Sequence, residues 1–260
     1  LLKGVCAGAR EIGLEVVLPV CSHGDMPLVV ARKQVDGVIR LLGQDEVDQR
    51  RTACPLPWVS VLFDVPEADV VTVDNFAGAR KVGRHLCGLG HRKVAFIGPE
   101  SAMALERLAG LRAALNEVGV NLPDERVRLR AWAGGEESAI AMVDDILKAH
   151  PFAKGGRPFT ALVAYNDYMA VAALRHLRSR GIRVPEDLSV AGFDGAVPRG
   201  FRGIKVTTST IPLELMGAEA VAILDRRLRN AKGPRQRVVL DTEIFPGETV
   251  VPLAGGPQVT

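Results

Sequence analysis

One short stretch, GIRVPEDLSVAGFDG (Gly181–Gly195), limits what this chain can fold into more than any other. The helical pattern AVAALRHLRSR (Ala170–Arg180) runs into Gly181, and glycine tolerates the left-handed conformation that ends a helix. Pro185 forbids continuation of the helix, and Leu188–Phe193 is a short apolar run suited to a strand covered on both faces. Asp194-Gly195 then falls where that strand leaves its sheet. In open parallel sheets ligands bind at the carboxyl ends of strands, so an acid there faces a crevice rather than open solvent.

The same helix–turn–strand unit recurs. An amphipathic helix over Leu1–Gly13 precedes a strand over Leu14–Val20, and further strands are expected at Val35–Leu42, Pro57–Phe63 and Asp69–Asp74. Helices over Phe76–Leu89, Leu105–Val118 and Glu136–Ala149 alternate with strands at Lys93–Gly98, Val127–Trp132 and Phe159–Ala164. A helix over Leu213–Arg229 and a strand over Arg237–Leu240 close the pattern. Such alternation predicts an α/β fold with parallel sheets carrying helices on both faces. A seam is expected near Gly88-Leu89-Gly90-His91, where a glycine turn joins helix to buried strand. Doubly wound sheets begin on a strand and this chain begins on a helix, so an initial strand is expected upstream.

Composition narrows the class. The 260 residues are 47% hydrophobic but only 5% aromatic, which favours Val/Leu/Ala/Ile cores of buried parallel strands. With 33 basic and 30 acidic residues the net charge is +3, which gives no indication of nucleic-acid binding. The basic clusters Arg50-Arg51, Arg226-Arg227-Arg229 and Arg235-Gln236-Arg237 read as solvated faces. Cys6, Cys21, Cys54 and Cys87 form no CxxC pair, so four reduced thiols and a cytoplasmic setting are expected. No apolar run reaches the ~18–20 residues of a membrane span.

Catalytic signatures are lacking. The sequence has no phosphate-binding GxxxxGK[ST], no HExxH and no GxSxG, and Gly88-Leu89-Gly90 precedes a strand instead of opening a helix. The five histidines show no ligand-like pairing and are expected at helix ends or in surface contacts. Accordingly no catalytic residue, metal or cofactor is expected. Polar residues do stand at strand ends: Asp74-Asn75 after VVTV, Asn166-Asp167 after ALVAY, Asp194 after SVAGF, and Arg107 in the segment after AFIGPE. Each has a plainer reading. Asn166 or Asp167 can cap the next helix, Asp194 can stabilise its own turn, and Arg107 can be a solvated helix residue. Their recurrence at matching points of successive βα units favours a binding site.

Over nearly its whole length the chain resembles the ligand-binding core of the lactose-repressor (LacI/GalR) family of bacterial transcription regulators. The resemblance rests on LLKGVCAGAREIGLEVVL, VDGVI, VDNFAGA with HLCGLGHRKVAFIGP, ERLAGLRAAL, AYNDYMAVAALRHLRSRGIRVPEDLSVAGFD and TTSTIPLELMGAEAVAIL. It implies a periplasmic-binding-protein fold, with two doubly wound subdomains joined by three crossing strands and the effector in the cleft between them. The crossings would give one subdomain of 1–90 plus 210–238 and another of 91–209 plus 239–254, with 255–260 as a tail.

By the same resemblance Arg107, Asn166 and Asp194 would contact a polar effector, and Asp74 would lie near hinge and cleft. Tyr165, Phe193 and Trp132 would supply flat apolar walls. Replacing Arg107 or Asp194 by alanine is then expected to abolish effector binding and spare the fold. The family's helix-turn-helix is not in this sequence, so operator DNA would be bound by an upstream domain. The implied function is effector binding and homodimerisation, with contacts through the first helix and the Leu213–Leu228 region, and with a sugar or related small molecule as effector. A stand-alone solute-binding protein of a transporter is the alternative.

Overall fold

The computed structural model describes residues 1–19, 26–41, 54–131, 135–152, 156–196 and 203–253. In chain order it opens with α1 (Leu2–Glu11), α2 (Leu28–Ala31), β1 (Val38–Leu41), β2 (Trp58–Val61) and β3 (Asp69–Val73). Next come α3 (Asn75–Gly88), β4 (Val94–Pro99), α4 (Ala102–Asn116), β5 (Val127–Arg130) and α5 (Gly135–Ala149). The remaining elements are β6 (Ala161–Ala164), α6 (Asp167–Ser179), β7 (Ser189–Asp194), β8 (Thr207–Thr210), α7 (Leu213–Arg229), β9 (Arg237–Leu240) and β10 (Glu243–Phe245).

Two compact units result. The first comprises 1–74 and 212–241, the second 75–211 and 242–260. The first crossing therefore falls at Asp74/Asn75, earlier than the seam at Gly90 suggested by the glycine turn. Packing explains the difference: α3 buries Ala79, Val82 and Leu86 in the same cluster as Leu108, Leu111 and Leu115 of α4. A glycine turn ends a helix without separating it from the unit on which its apolar face lies.

In the first unit, β1-β2-β3-β9 form a parallel four-stranded sheet. Beside it α1 meets α7 at backbone distance, since a Cβ on Gly4 would stand 1.8 Å from the Glu214 carbonyl oxygen. The strand expected over Leu14–Val20 is not observed: residues 14–19 have no strand structure and are exposed, and Val20 lies outside the described residues. An apolar run becomes a strand only when a neighbour takes its hydrogen bonds, and none of the described strands pairs with this segment.

In the second unit six strands run β10-β8-β7-β6-β4-β5, parallel except for β10 against β8. Side chains alternate across it with the period of two that strands impose. Ala95, Ile97, Leu162, Ala164 and Val190 pack with α5 and α6 on one face. Val94, Phe96, Ala161, Val163, Ala191 and Phe193 pack with α3 and α4 on the other. Gly181 has φ +78 just past α6, the conformation its place in the sequence predicts.

His91 is an exception to the expectation for histidines. It is fully buried, with Nε2 donating to the Val251 carbonyl at 3.0 Å and Nδ1 3.0 Å from Thr160 Oγ1. Burial holds its imidazole below the usual pKa, and the neutral ring ties the start of β4 to the chain's closing segment.

Candidate functional site

Three strands of the second unit, β4, β6 and β7, deliver their carboxyl ends to one place, and Arg107 of α4 lies beneath them. Ser101 caps α4, its side chain accepting the Ala104 amide, and this fixes the helix start from which Arg107 projects. Arg107 is only 2% exposed, so it is not the solvated helix residue of the plainer reading. Its guanidinium donates from Nε to Asn75 Oδ1 at 2.9 Å, from Nη1 to the Tyr165 carbonyl at 2.6 Å and from Nη2 to Asp194 Oδ1 at 3.0 Å. The rings of Tyr165 and Phe193 flank it, with centroids 4.7 and 4.3 Å from Cζ. A buried cation needs such saturation, because desolvation without partners costs far more than a hydrogen bond returns.

Each predicted residue has a definite place, apart from Trp132, which lies outside the described residues. Asp194 ends β7 with φ +99, and its side chain is 30% exposed while one oxygen meets Arg107. It is an acidic acceptor that solvent can reach, bonded directly to the guanidinium. Asn166 caps α6, its Oδ1 accepting the Met169 amide at 2.9 Å, as the plainer reading has it. Tyr165 is half-buried, and its hydroxyl donates to Met103 Sδ at 3.1 Å. Burial raises the pKa of that phenol. Phe193 is a core residue with its ring against the guanidinium. Asp74 is exposed and ends the first of the two segments that make up the first unit, its amide donating to the Leu240 carbonyl at 3.1 Å.

Two members of the cluster were visible in the sequence only as neighbours. Asn75 opens α3, accepts from Arg107 and donates from Nδ2 to Glu106 Oε2 at 3.2 Å, linking two helices. Asp167 sits buried one residue past Asn166. The cue for both was their place immediately after a residue at a strand's carboxyl end.

The first unit has a cavity of about 500 Å³ lined by Cys54, Trp58, Ala68, Asp69, Arg227 and Arg235, among others, and it contains none of the predicted residues. Its buried acid is already engaged: Asp69 accepts Arg227 twice, at 2.7 and 2.8 Å, and the Gln236 amide at 2.7 Å. Burial would raise the Asp69 carboxyl, but these bonds outweigh it and hold the group below its usual value. The strand-end cluster, with a reachable carboxylate, is the stronger candidate. Among the described residues no group of His, Cys, Asp and Glu could hold a metal ion, and no helix is long and apolar enough to cross a membrane.

Comparison with known proteins agrees with this architecture. Residues 84–250 match the family model of a periplasmic binding protein-like domain. The chain is 31% identical to the HTH-type transcriptional regulator CelR of Thermobifida fusca, over 96% of its own length and 74% of the relative's. It is 29% identical to the HTH-type transcriptional regulator DegA of Bacillus subtilis, over 97% and 77%. A solved CelR–cellobiose complex matches with a TM-score of 0.76 at 30% identity, covering 95% of this chain and 77% of that one. A LacI family regulator from Enterococcus faecium with bound ribose shares the fold, with a TM-score of 0.73 at 21% identity, over 97% and 93%. On these matches the chain belongs to the LacI family of transcriptional regulators and carries its periplasmic-binding-protein-like, effector-binding region.

Proposed function

We propose that this region senses a sugar or a closely related polyhydroxylated small molecule and passes its presence on to operator binding by a DNA-binding domain elsewhere in the protein. The observation that carries the reading is the Arg107–Asp194 pair: a solvent-reachable carboxylate at a strand's carboxyl end, held by a buried guanidinium. Sugar hydroxyls donate well to a fixed carboxylate, and hydrogen bonds to charged groups contribute about 1.5–3 kcal/mol each. Asn166, Tyr165, Phe193, Trp132 and Asp74 complete the proposed contact set, with Phe193 acting through Arg107. The coupling to DNA would be of the usual size, about 1–3 kcal/mol. The region acts without catalysis, metal or cofactor, in the cytoplasm, where operators are.

A thermal-shift screen against cellobiose, ribose and other mono- and disaccharides tests this. At about a hundredfold excess over the dissociation constant, a true effector should raise the melting temperature by roughly 5–10 °C. Asp194→Asn keeps the size of the side chain, and asparagine tolerates positive φ better than alanine does. This variant should melt cooperatively and lose the shift. A hit whose shift survives in Asp194→Asn would move the site elsewhere.

Homodimerisation is proposed through α1 and α7. Leu215 of α7 is 50% exposed and Leu2 of α1 is 48% exposed, so truncating either spares the core. Burying a leucine contributes about 1.5–3 kcal/mol, so Leu215→Ala should raise the dimer dissociation constant about tenfold or more in analytical ultracentrifugation. An unchanged dimer would remove α7 from the interface.

A further inference from the structure

Asp167 is the first residue of α6 and is 1% exposed. Its Oδ2 accepts the Ala196 amide at 2.8 Å, while Oδ1 has no hydrogen-bond partner. Oδ1 lies close against β7, where a Cβ on Gly192 would stand 2.4 Å from it. Ala196 is two residues past Asp194, and Gly195 between them has φ +71, so near Thr210 that an added Cβ would sit 3.0 Å from Thr210 Cγ2. Asp194 at φ +99 occupies a region that non-glycine residues take up only where their surroundings impose it. Three contacts impose it here. The Ile211 amide donates to the Asp194 carbonyl at 3.2 Å, Arg107 binds the carboxylate, and Asp167 holds Ala196.

We infer that Asp167 is a positioning residue for Asp194: through the Ala196 amide, its buried carboxyl holds the turn after β7 in the form that presents the Asp194 carboxylate to Arg107 and to an effector. The inference rests on the reading of that turn as part of the effector site.

The hold depends on charge, because a carboxylate accepts an N–H more strongly than a neutral carboxyl does. Among the described residues, the groups facing Asp167 are the Thr208 hydroxyl from β8 and, from the turn after β7, the Asp194 carboxylate and the Gly195 and Ala196 amides. No cation stands among them. Burial, with the Asp194 charge adding to it, pushes the Asp167 carboxyl up to about 7 against the opposing pull of the hydroxyl and the amides. Proton uptake below neutrality weakens the grip on Ala196, and proton release above it tightens the turn.

The test needs no effector at first. The Ala196 amide and Arg107 Nε–H resonances are followed by NMR from about pH 5 to about pH 9. In the wild type both should move together with a midpoint near 7. In Asp167→Asn, which keeps an acceptor for Ala196 without the charge, they should stay flat. A flat wild type, or the same transition surviving in Asp167→Asn, overturns the proposal. Calorimetric titration with cellobiose follows at about pH 6 and about pH 8. Wild-type affinity should be about fivefold higher at the upper pH, the margin of a charge-assisted over a neutral bond, and independent of pH in Asp167→Asn. If cellobiose binds the wild type equally at both pH values, Asp167 does not position the site. If it binds at neither, the sugar reading loses this candidate while the resonances still decide on Asp167.

Discussion

Replacing Arg107 with methionine is expected to abolish effector binding and also to destabilise the second unit, by about 3 kcal/mol in urea unfolding. The sequence alone suggests that this arginine can be lost without harm to the fold. The structure argues otherwise. Methionine restores much of the volume between the Tyr165 and Phe193 rings, so a cavity is not the main cost. What is lost is the donor set. Asn75 Oδ1, the Tyr165 carbonyl and Asp194 each accept a bond from the guanidinium, and a buried acceptor left alone costs about 1–3 kcal/mol. Partial exposure of Asp194 lets water reclaim part of its share, which keeps the sum below that of a fully buried pair. Arg107→Lys should recover part of the stability but little of the binding, because an ammonium cannot span three acceptors arranged for a planar fork. A double-mutant cycle isolates the pair: with Asp194→Asn already present, Arg107→Met should cost measurably less. Equal costs in both backgrounds would show that Arg107 supports the fold without supporting Asp194.

Strands and helices were legible in this sequence wherever apolar residues kept a clean period. That covers the buried strands at Val94–Pro99, Ala161–Ala164 and Ser189–Asp194 and the helices beside them. What escaped depended on partners distant in the chain. Thr207–Thr210 has no apolar pattern, yet it is a strand whose first three residues are buried, with Ser209 Oγ donating to Thr242 Oγ1 at 2.8 Å and Thr210 Oγ1 to the Glu243 carbonyl at 3.1 Å. Leu14–Pro19 has the pattern but no described neighbour to pair with. The boundary at Asp74 was missed because a glycine turn marks where a helix stops, while unit membership is set by what its face touches.

The site shows the same division. Asp194 could be placed from the end of its strand and Arg107 from the segment that follows β4, while their part as effector contacts came from the family resemblance. That Arg107 would be a buried strut with Asn75 as its partner follows from α3 and α4 lying side by side, a relation no local pattern encodes.

Gly110→Ala should therefore damage the second unit twice, in stability and in the site. Alanine favours a helix interior over glycine by about 1 kcal/mol, so propensity alone predicts a gain. Geometry reverses the sign. A Cβ at Gly110 would stand 2.1 Å from the Phe76 carbonyl oxygen and 3.0 Å from Ala79 Cβ. The first of these is backbone in the opening turn of α3, which no rotamer change can move aside. On the facing helix a Cβ at Gly83 would meet Ala114 Cβ at 2.5 Å, so the two helices are in close contact at more than one level. Relief requires the start of α3 to back away from α4, and Asn75, the residue before Phe76, carries the bonds to Glu106 and Arg107. Overpacking of this kind typically costs about 1–3 kcal/mol, and an obstruction by backbone belongs at the upper end. The expected result is a net loss of about 2 kcal/mol in urea unfolding, together with weakened binding of whichever sugar the wild type recognises. Gly88→Ala is the control. It lies at the end of α3 with nothing within 4 Å of an added Cβ, and should be neutral or stabilising by about 0.5 kcal/mol. If Gly110→Ala behaved like Gly88→Ala, the close approach of α3 and α4 would not be what holds Asn75 against Arg107. If it fails as expected, a helix contact that touches no effector sets the geometry of the site.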